Sequence, residues 1–206
     1  MHHLEFAVPR LAVTNFVSLD GVIQSVLSAD EDTEGGFTQG GWVTQSMDDE
    51  VAAFMSATTV NAGAMLMGRK TYEGFAKVWP SASEDQPAVA AMNRMPKYVA
   101  SRSLAAVDWH NARLLGPDLE REVRQLKQRS AHGDIAVFGS GDLVRTLAHL
   151  DLIDEYRLLT FPLILGSGKR MFGEGTKPTK LALVSSSVTS TGVLISTYIP
   201  ATPNVV

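Results

Sequence analysis

A chain of 206 residues with 45% hydrophobic and 19% charged side chains and a net charge of −4 has the makeup of one large globular domain, or a core with an elaborated loop. The mild acidity and the lack of a long basic run speak against duplex nucleic acid as a partner. Cysteine is absent, which removes disulfides, thiolate metal sites and thiol nucleophiles together, and no apolar run reaches the roughly 18 residues that a membrane-spanning helix needs. The opening MHHLEFAVPR has no feature of a secretory leader, so a soluble, cytoplasmic protein is expected; His2 and His3 fit either a tag or native sequence and stay out of the site.

In chain order, residues 11–17 read as a strand that ends at SLDGVI, where Asp20-Gly21 is a turn signal. Residues 30–41, DEDTEGGFTQGG, are too long and too polar for a tight connection and predict a loop that covers something. Ser46 then precedes Met47, Val51, Phe54, Met55 and Thr58 at helical spacing, with Asp49 three residues on as in a capping box, which predicts the first helix. Residues 64–67 form a short apolar strand, and GRKTYEGF starts a second helix that stops near Trp79-Pro80. Residues 81–95 carry no clear period.

Residues 97–100 read as a strand followed by SRS, and a further strand is placed around residues 109–115. Pro117 opens a helix with Leu119, Val123 and Leu126 on one stripe, acids Asp118, Glu120 and Glu122 early and Arg124, Lys127 and Arg129 late; Gly133 ends it. A strand over residues 135–138 leads through GSG into a helix that turns Leu143, Leu147 and Leu150 inward. Residues 156–165 are almost continuously apolar, and residues 181–184 and 193–199 form two last strands around Thr191-Gly192. Asp154-Glu155 marks a strand entry, Trp79 is packing, and His132 and His149 are helix-end surface residues. Strand and helix alternate to about residue 150, which predicts an α/β domain: a mostly parallel central sheet with flanking helices, closed by a C-terminal antiparallel hairpin.

The stretch VFGSGDLVRTLAH places bare backbone where a strand turns into a helix. Such a junction leaves the first amides of the helix free to meet an anion, although a plain glycine turn is the alternative reading. Three strand ends carry residues of this kind: GRKT at 68–71, SRS at 101–103 and GSGD at 139–142. In a parallel sheet those ends share one edge, so the three converge on one extended anionic ligand. GSGK at 166–169 resembles the end of a P-loop, but Leu163 stands at the first glycine and Arg170 where a hydroxyl must hold magnesium, so nucleotide hydrolysis loses its support. GSGDLV has Val144 where a dinucleotide fingerprint wants a third small residue, and its glycines come late in the chain.

TNFVSLDGVI, MGRKTYEGF, the SR after a strand, VFGSGDLVRTLAHLDLIDEYRL and FPLILGSGKRMF together resemble the dihydrofolate reductase superfamily. Within it the chain is similar to the branch of the C-terminal reductase domain of the bifunctional riboflavin-biosynthesis deaminase-reductase, over about residues 11–199. The resemblance implies an NADPH-binding dihydrofolate reductase-like fold and hydride transfer from NADPH to a C=N or C=O of a small heterocycle, of pteridine or ribosylamino-pyrimidine type. With no zinc-ligand set before residue 11, only the reductase step would be expected.

Carried over by position, the resemblance puts Gly68 and Arg69 at the 2′-phosphate end of the cofactor and Lys70 and Thr71 at neighbouring phosphates. Ser101 and Arg102 flank the same 2′-phosphate, while Gly139, Ser140, Gly141 and the amides of Asp142 and Leu143 cradle the pyrophosphate. A planar guanidinium suits a near-dianionic phosphate, so two arginines favour NADPH over NADH. On the substrate side, the resemblance points to a carboxylate at the start of the first helix, where Asp48 is the acid on the apolar face of Asp48-Asp49-Glu50, and to Asp20 at the SLDG turn. Their alternative roles are helix-dipole complement and turn former. Gly166, Ser167 and Gly168 would add a backbone-lined loop near the substrate. No metal is expected; a homodimer built through the apolar C-terminal strands is. Two other functions stay open: an NADPH-binding regulator or partner-binding module without turnover, and a reductase of the same fold that uses a flavin or deazaflavin.

Overall fold

The computed structural model describes residues 9–129 and 133–201; His2, His3 and His132 lie outside the described residues. Among these residues eight strands form one sheet: β1 (Leu11–Ser18), β2 (Ala62–Gly68), β3 (Lys97–Ala100), β4 (Ala112–Leu114), β5 (Asp134–Val137), β6 (Glu155–Phe161), β7 (Leu181–Val188) and β8 (Leu194–Pro200). Their order is β4-β3-β2-β5-β1-β6-β8-β7. The first six strands pair in parallel, while β8 runs antiparallel between β6 and β7. The mostly parallel sheet closed by an antiparallel hairpin is therefore as the alternation of elements predicts.

Among the described residues five α-helices flank the sheet: α1 (Asp49–Val60), α2 (Arg69–Val78), α3 (Pro87–Arg94), α4 (Leu119–Arg129) and α5 (Gly141–His149). Strand β2 shows why both faces must be covered: Ala64 and Leu66 pack with Val123 and Leu126 of α4 and Leu143 and Leu147 of α5, while Met65 and Met67 point the other way, against Tyr72 and Met92. Such two-sided burial makes parallel strands read as continuous apolar runs. A further apolar cluster on Phe161, Leu159 and Val51 takes in Phe37 and Trp42 from the long loop after β1. That loop is a packed element: the Trp42 indole donates to the Gln24 carbonyl at 2.9 Å, and a Cβ on Gly40 would lie 2.5 Å from Ser25 Oγ.

Several boundaries differ from expectation for identifiable reasons. Helix α1 is capped by Asp48, whose Oδ1 accepts the Val51 amide at 2.9 Å; Ser46 instead closes a 3₁₀ turn, and Met47 is exposed. Residues 81–95, without a clear period, contain α3, which Pro87 opens and which buries only Val89 and Met92. Helix α4 starts at Leu119 with Asp118, not Pro117, accepting the Arg121 amide at 3.1 Å. Strand β7 runs on through Ser185, Ser186 and Ser187 because β8 pairs with it there, with a bulge between Leu183 and Ser185. Asp154 enters β6 as expected, accepting the Leu11 amide at 2.7 Å, and exposed His149 and half-buried Trp79, edge-on to Phe75 at 5.9 Å, also fit their readings. No helix among the described residues is long and apolar enough to cross a membrane.

Charge is used differently at the two edges of the sheet. At the amino edge Asp134 and Glu155 share Arg10 and Arg157 in one half-buried network. The carboxyl edge carries the glycines and single cations that the sequence motifs point to.

Candidate active site at the carboxyl edge

The strand order makes the three motifs neighbours. The register pairs Gly68 of β2 with Ala100 of β3, and β5 lies on the other side of β2, so SRS, GRKT and GSGD stand side by side. Chain connections leave the edge in different directions there, and ligands bind in crevices of this kind. Next along the edge come the end of β1, with Asp20, and the loop after β6, with Gly166, Ser167 and Gly168.

At the junction of β2 and β5 the backbone is crowded to the limit. The Gly68 amide donates to the Gly139 carbonyl at 3.2 Å, and the peptide bond between Gly139 and Ser140 is cis. A Cβ on Gly68 would lie 2.4 Å from Ser140 Oγ, one on Gly139 3.0 Å from Thr71 Oγ1, and one on Gly141 2.8 Å from Ile23 Cδ1. Small residues are thus required by close approach, and at Gly139 also by a φ of +130°. Helices α2 and α5 begin at this junction, and neither has a side-chain cap: their N-caps are Gly68 and Ser140. The first-turn amides of both, those of Asp142 and Leu143 included, need outside acceptors, and both dipoles favour an anion.

Cations border the junction. Among the described residues Arg69, 45% exposed, reaches only Glu73 at 3.5 Å, and exposed Arg102 has no ion-pair partner. Ser101 Oγ accepts the amides of Ser103 and Leu104 at 3.1 and 3.0 Å, so it shapes the turn that presents Arg102. Tyr72 fixes this turn's continuation against α2: its hydroxyl donates to Asp108 Oδ1 at 2.8 Å and accepts the Asp108 amide at 2.9 Å. Asp142 points out to Arg145 and is 86% exposed. Lys70, expected at a phosphate, instead meets Glu34 of the long loop.

On the other side of the crevice Asp20 links two loops. Its carboxylate accepts the Ser18 hydroxyl at 2.7 Å and the amides of Leu165 and Gly166 at 3.1 and 2.9 Å, with Arg170 at 3.5 Å. The Ser18 hydroxyl and then these amides outweigh desolvation and hold the carboxyl down at about 2. Gly168 sits under the long loop, where a Cβ would lie 2.7 Å from Val22 and 2.9 Å from Phe37. Asp48 is fully engaged: beside the Val51 amide on Oδ1, its Oδ2 accepts Thr191 Oγ1 at 2.8 Å and the Thr191 amide and Ser190 Oγ at 3.2 Å. The Val51 amide in particular holds this carboxyl well below the carboxylate range, and Asp48 fastens α1 to the turn between β7 and β8.

Residues outside the sequence motifs complete the site. Asp32 and Glu34 in the long loop pair with Lys169 after β6, and Glu34 also with Lys70. Buried Gln24 supports them, its amide nitrogen donating to the carbonyls of Asp32 and Glu34 and its oxygen accepting the Lys169 amide, each at 2.9 Å. The signal for Lys169 lies in GSGK, which makes no P-loop but does present a lysine beside the crevice. No group of three or more acidic or histidine side chains able to hold a metal occurs among the described residues.

This arrangement matches known proteins over nearly its full length. The family model of the RibD C-terminal domain covers residues 9–195. The protein YyaP of Bacillus subtilis (strain 168), itself uncharacterized, is 27% identical over 193 residues, which is 92% of this chain and 94% of its own. The diaminohydroxyphosphoribosylaminopyrimidine deaminase/5-amino-6-(5-phosphoribosylamino)uracil reductase of Thermotoga maritima superposes with a TM-score of 0.61 at 17% identity, over 94% of this chain and 57% of that one. Dihydrofolate reductase from Enterococcus faecalis, complexed with NADP(H), superposes with a TM-score of 0.58 at 13% identity, over 94% of this chain and 97% of that one. The fold is dihydrofolate reductase-like.

Proposed function

We propose that this chain, which belongs to the family of RibD C-terminal domains, is an NADPH-dependent reductase that transfers hydride to a small heterocyclic substrate of pteridine or ribosylamino-pyrimidine type. The observation that carries the reading is the β2–β5 junction, where two uncapped helix starts and a glycine-lined approach meet beside Arg69 and Arg102. Gly68 and Gly139 allow the two strand ends to approach so closely that both uncapped helix starts face one point, so the residues present fit a dinucleotide diphosphate. In this reading Gly139, Ser140, Gly141 and the amides of Asp142 and Leu143 hold the diphosphate, with Thr71 beside them. Arg69 and Arg102, on adjacent turns, take the 2′-phosphate by paired charge-assisted bonds.

The bound nicotinamide supplies the hydride, and the protein supplies orientation and exclusion of water. Asp20 contributes by position: it ties the SLDG turn to Gly166 and so shapes the backbone wall, with Ser167 and Gly168, that the substrate meets. A carboxyl held at about 2 is ionised at neutral pH, so in this reading Asp20 acts by position and not as the proton donor. Asp48 acts in the same way, by setting where α1 begins. The long loop lies across the crevice and covers the reacting centre. A cytoplasmic location and a homodimer accompany this reading. The dimer would use the open edge strand β7, where Leu183, Val184 and Val188 are exposed, and sedimentation as a monomer at micromolar concentration would remove it.

Titration with NADPH and NADH, followed by tryptophan fluorescence, tests the cofactor. NADPH should bind more tightly than NADH, and Arg69→Ala and Arg102→Ala should each weaken NADPH by about 1.5–3 kcal/mol, as expected for hydrogen bonds to charged groups. Binding of neither nucleotide would refute the proposal and direct the search to flavins and deazaflavins.

A further inference from the structure

One oxygen of Glu34 occupies an unusual place. Its Oε2 accepts from both Lys70 Nζ, on the first turn of α2, and Lys169 Nζ, on the loop after β6. The two lysines come from opposite sides of the crevice and are both part-exposed, and the Glu34 side chain between them is 61% exposed. Lys169 also has Asp32 as a partner of its own at 2.6 Å, whereas Lys70 stands 3.8 Å from Asp32. The loop does not depend on Glu34's side chain for its position, because buried Gln24 holds the Asp32 and Glu34 carbonyls and the Lys169 amide together. Glu34 can therefore turn away while loop and lysines stay where they are.

Two ammonium groups sharing a single anionic oxygen form the contact that a phosphate oxygen also makes. We infer that Lys70 and Lys169 form a seat for a phosphate group of the ligand, and that Glu34 is a built-in competitor which fills this seat in the free protein and leaves it on binding. The position of the seat, between the diphosphate cradle at Gly68 and the Asp20 wall, allows the phosphate to belong to the cofactor or to a phosphorylated substrate. Only the identity of the ligand rests on the reductase reading; the seat itself rests on the lysine geometry.

The direction of one substitution separates this from a structural role. If Glu34 merely held a binding-competent loop, Glu34→Gln would weaken ligand binding; if it competes for the seat, Glu34→Gln tightens it. Calorimetric titration of the wild type, Glu34→Gln and Lys169→Met with ribose 5-phosphate and, separately, NADPH reads the sign. The expected result is binding about fivefold tighter for Glu34→Gln and about fivefold weaker for Lys169→Met, the upper range for an exposed ion pair. If only NADPH shows the pattern, the phosphate is the cofactor's; if only ribose 5-phosphate does, it is the substrate's. Sugar phosphate following the pattern while NADPH fails to bind at all would leave the seat standing and overturn the cofactor reading. Unchanged or weaker binding of both probes to Glu34→Gln, or binding of neither probe to any variant, overturns the seat.

Discussion

Replacing Gly68 by alanine isolates the close approach at the centre of the site. The backbone there has φ −76° and ψ 166°, a conformation open to any residue, so alanine should stabilise the fold by about 0.4–1 kcal/mol through the unfolded state alone. The new Cβ, however, would lie 2.4 Å from Ser140 Oγ, about an ångström inside ordinary contact, with the Ser140 nitrogen and Cβ at 3.2 and 3.3 Å. Rotating the hydroxyl away relieves only the first contact and costs about 0.5–1.5 kcal/mol; overpacking of this kind costs about 1–3 kcal/mol in all. The net expectation for Gly68→Ala is a loss of about 1–2 kcal/mol in urea unfolding, with weaker NADPH binding because the start of α5 is pushed aside. In a Ser140→Gly background two of the three contacts vanish, and the same substitution should cost about 1 kcal/mol less. A Gly68→Ala protein as stable as the wild type, or a loss that is equal in both backgrounds, would refute the close-approach argument.

The Asp20 carboxyl is held at about 2 against an ordinary value of 3.8, so the stability it contributes is complete above about pH 4 and is lost as pH falls through 2. Asp20→Asn should therefore melt below the wild type at pH 6, with the gap closing between pH 4 and pH 2; a gap independent of pH would count against this. Lys97 is fully buried and donates to the carbonyls of Asn93, Met95 and His110 at 2.8, 3.0 and 3.0 Å, and Lys97→Met, which orphans all three, should lose about 2–4 kcal/mol in denaturant unfolding. For Asp48, asparagine keeps the acceptor for the Val51 amide whereas alanine loses it together with the Thr191 contacts, so melting temperatures should fall in the order wild type, Asn, Ala. An asparagine variant that melts with the alanine variant would show that the cap is not what Asp48 contributes.

Much of this architecture is legible in the sequence because its determinants are local. Glycines at strand ends, apolar strands buried on both faces and helices with acids early and bases late each report a backbone event within a few residues, and the order of elements then forces the parallel sheet. The elements that escape are those decided by neighbours far along the chain. Helix α3 is short and buries two side chains, and its place is set by Lys97, whose ammonium ties the end of α3 to the His110 carbonyl. The serines of β7 form a strand only because β8 offers a ladder. Asp48 reads as an acid out of place on an apolar face; it caps α1 through the Val51 amide, and its remaining partners lie on a turn more than a hundred residues later.

The site divides along the same line. The half proposed to bind the anion is made of backbone amides and glycines, whose placement follows from strand-to-helix turns that a sequence displays. The other half is made of side chains that meet across the crevice: Asp20 with Gly166, Gln24 with Lys169, Glu34 with both lysines. None of these pairs has a spacing that marks it, since each depends on how the long loop after β1 folds against the loop after β6. The proposed dinucleotide site can thus be argued from motifs, whereas the proposed substrate side rests on contacts that only the folded chain assembles. It follows that exchanging the loop after β1, with Gln24, Asp32 and Glu34 as a unit, should alter substrate preference more than any change within the GRKT, SRS and GSGD motifs.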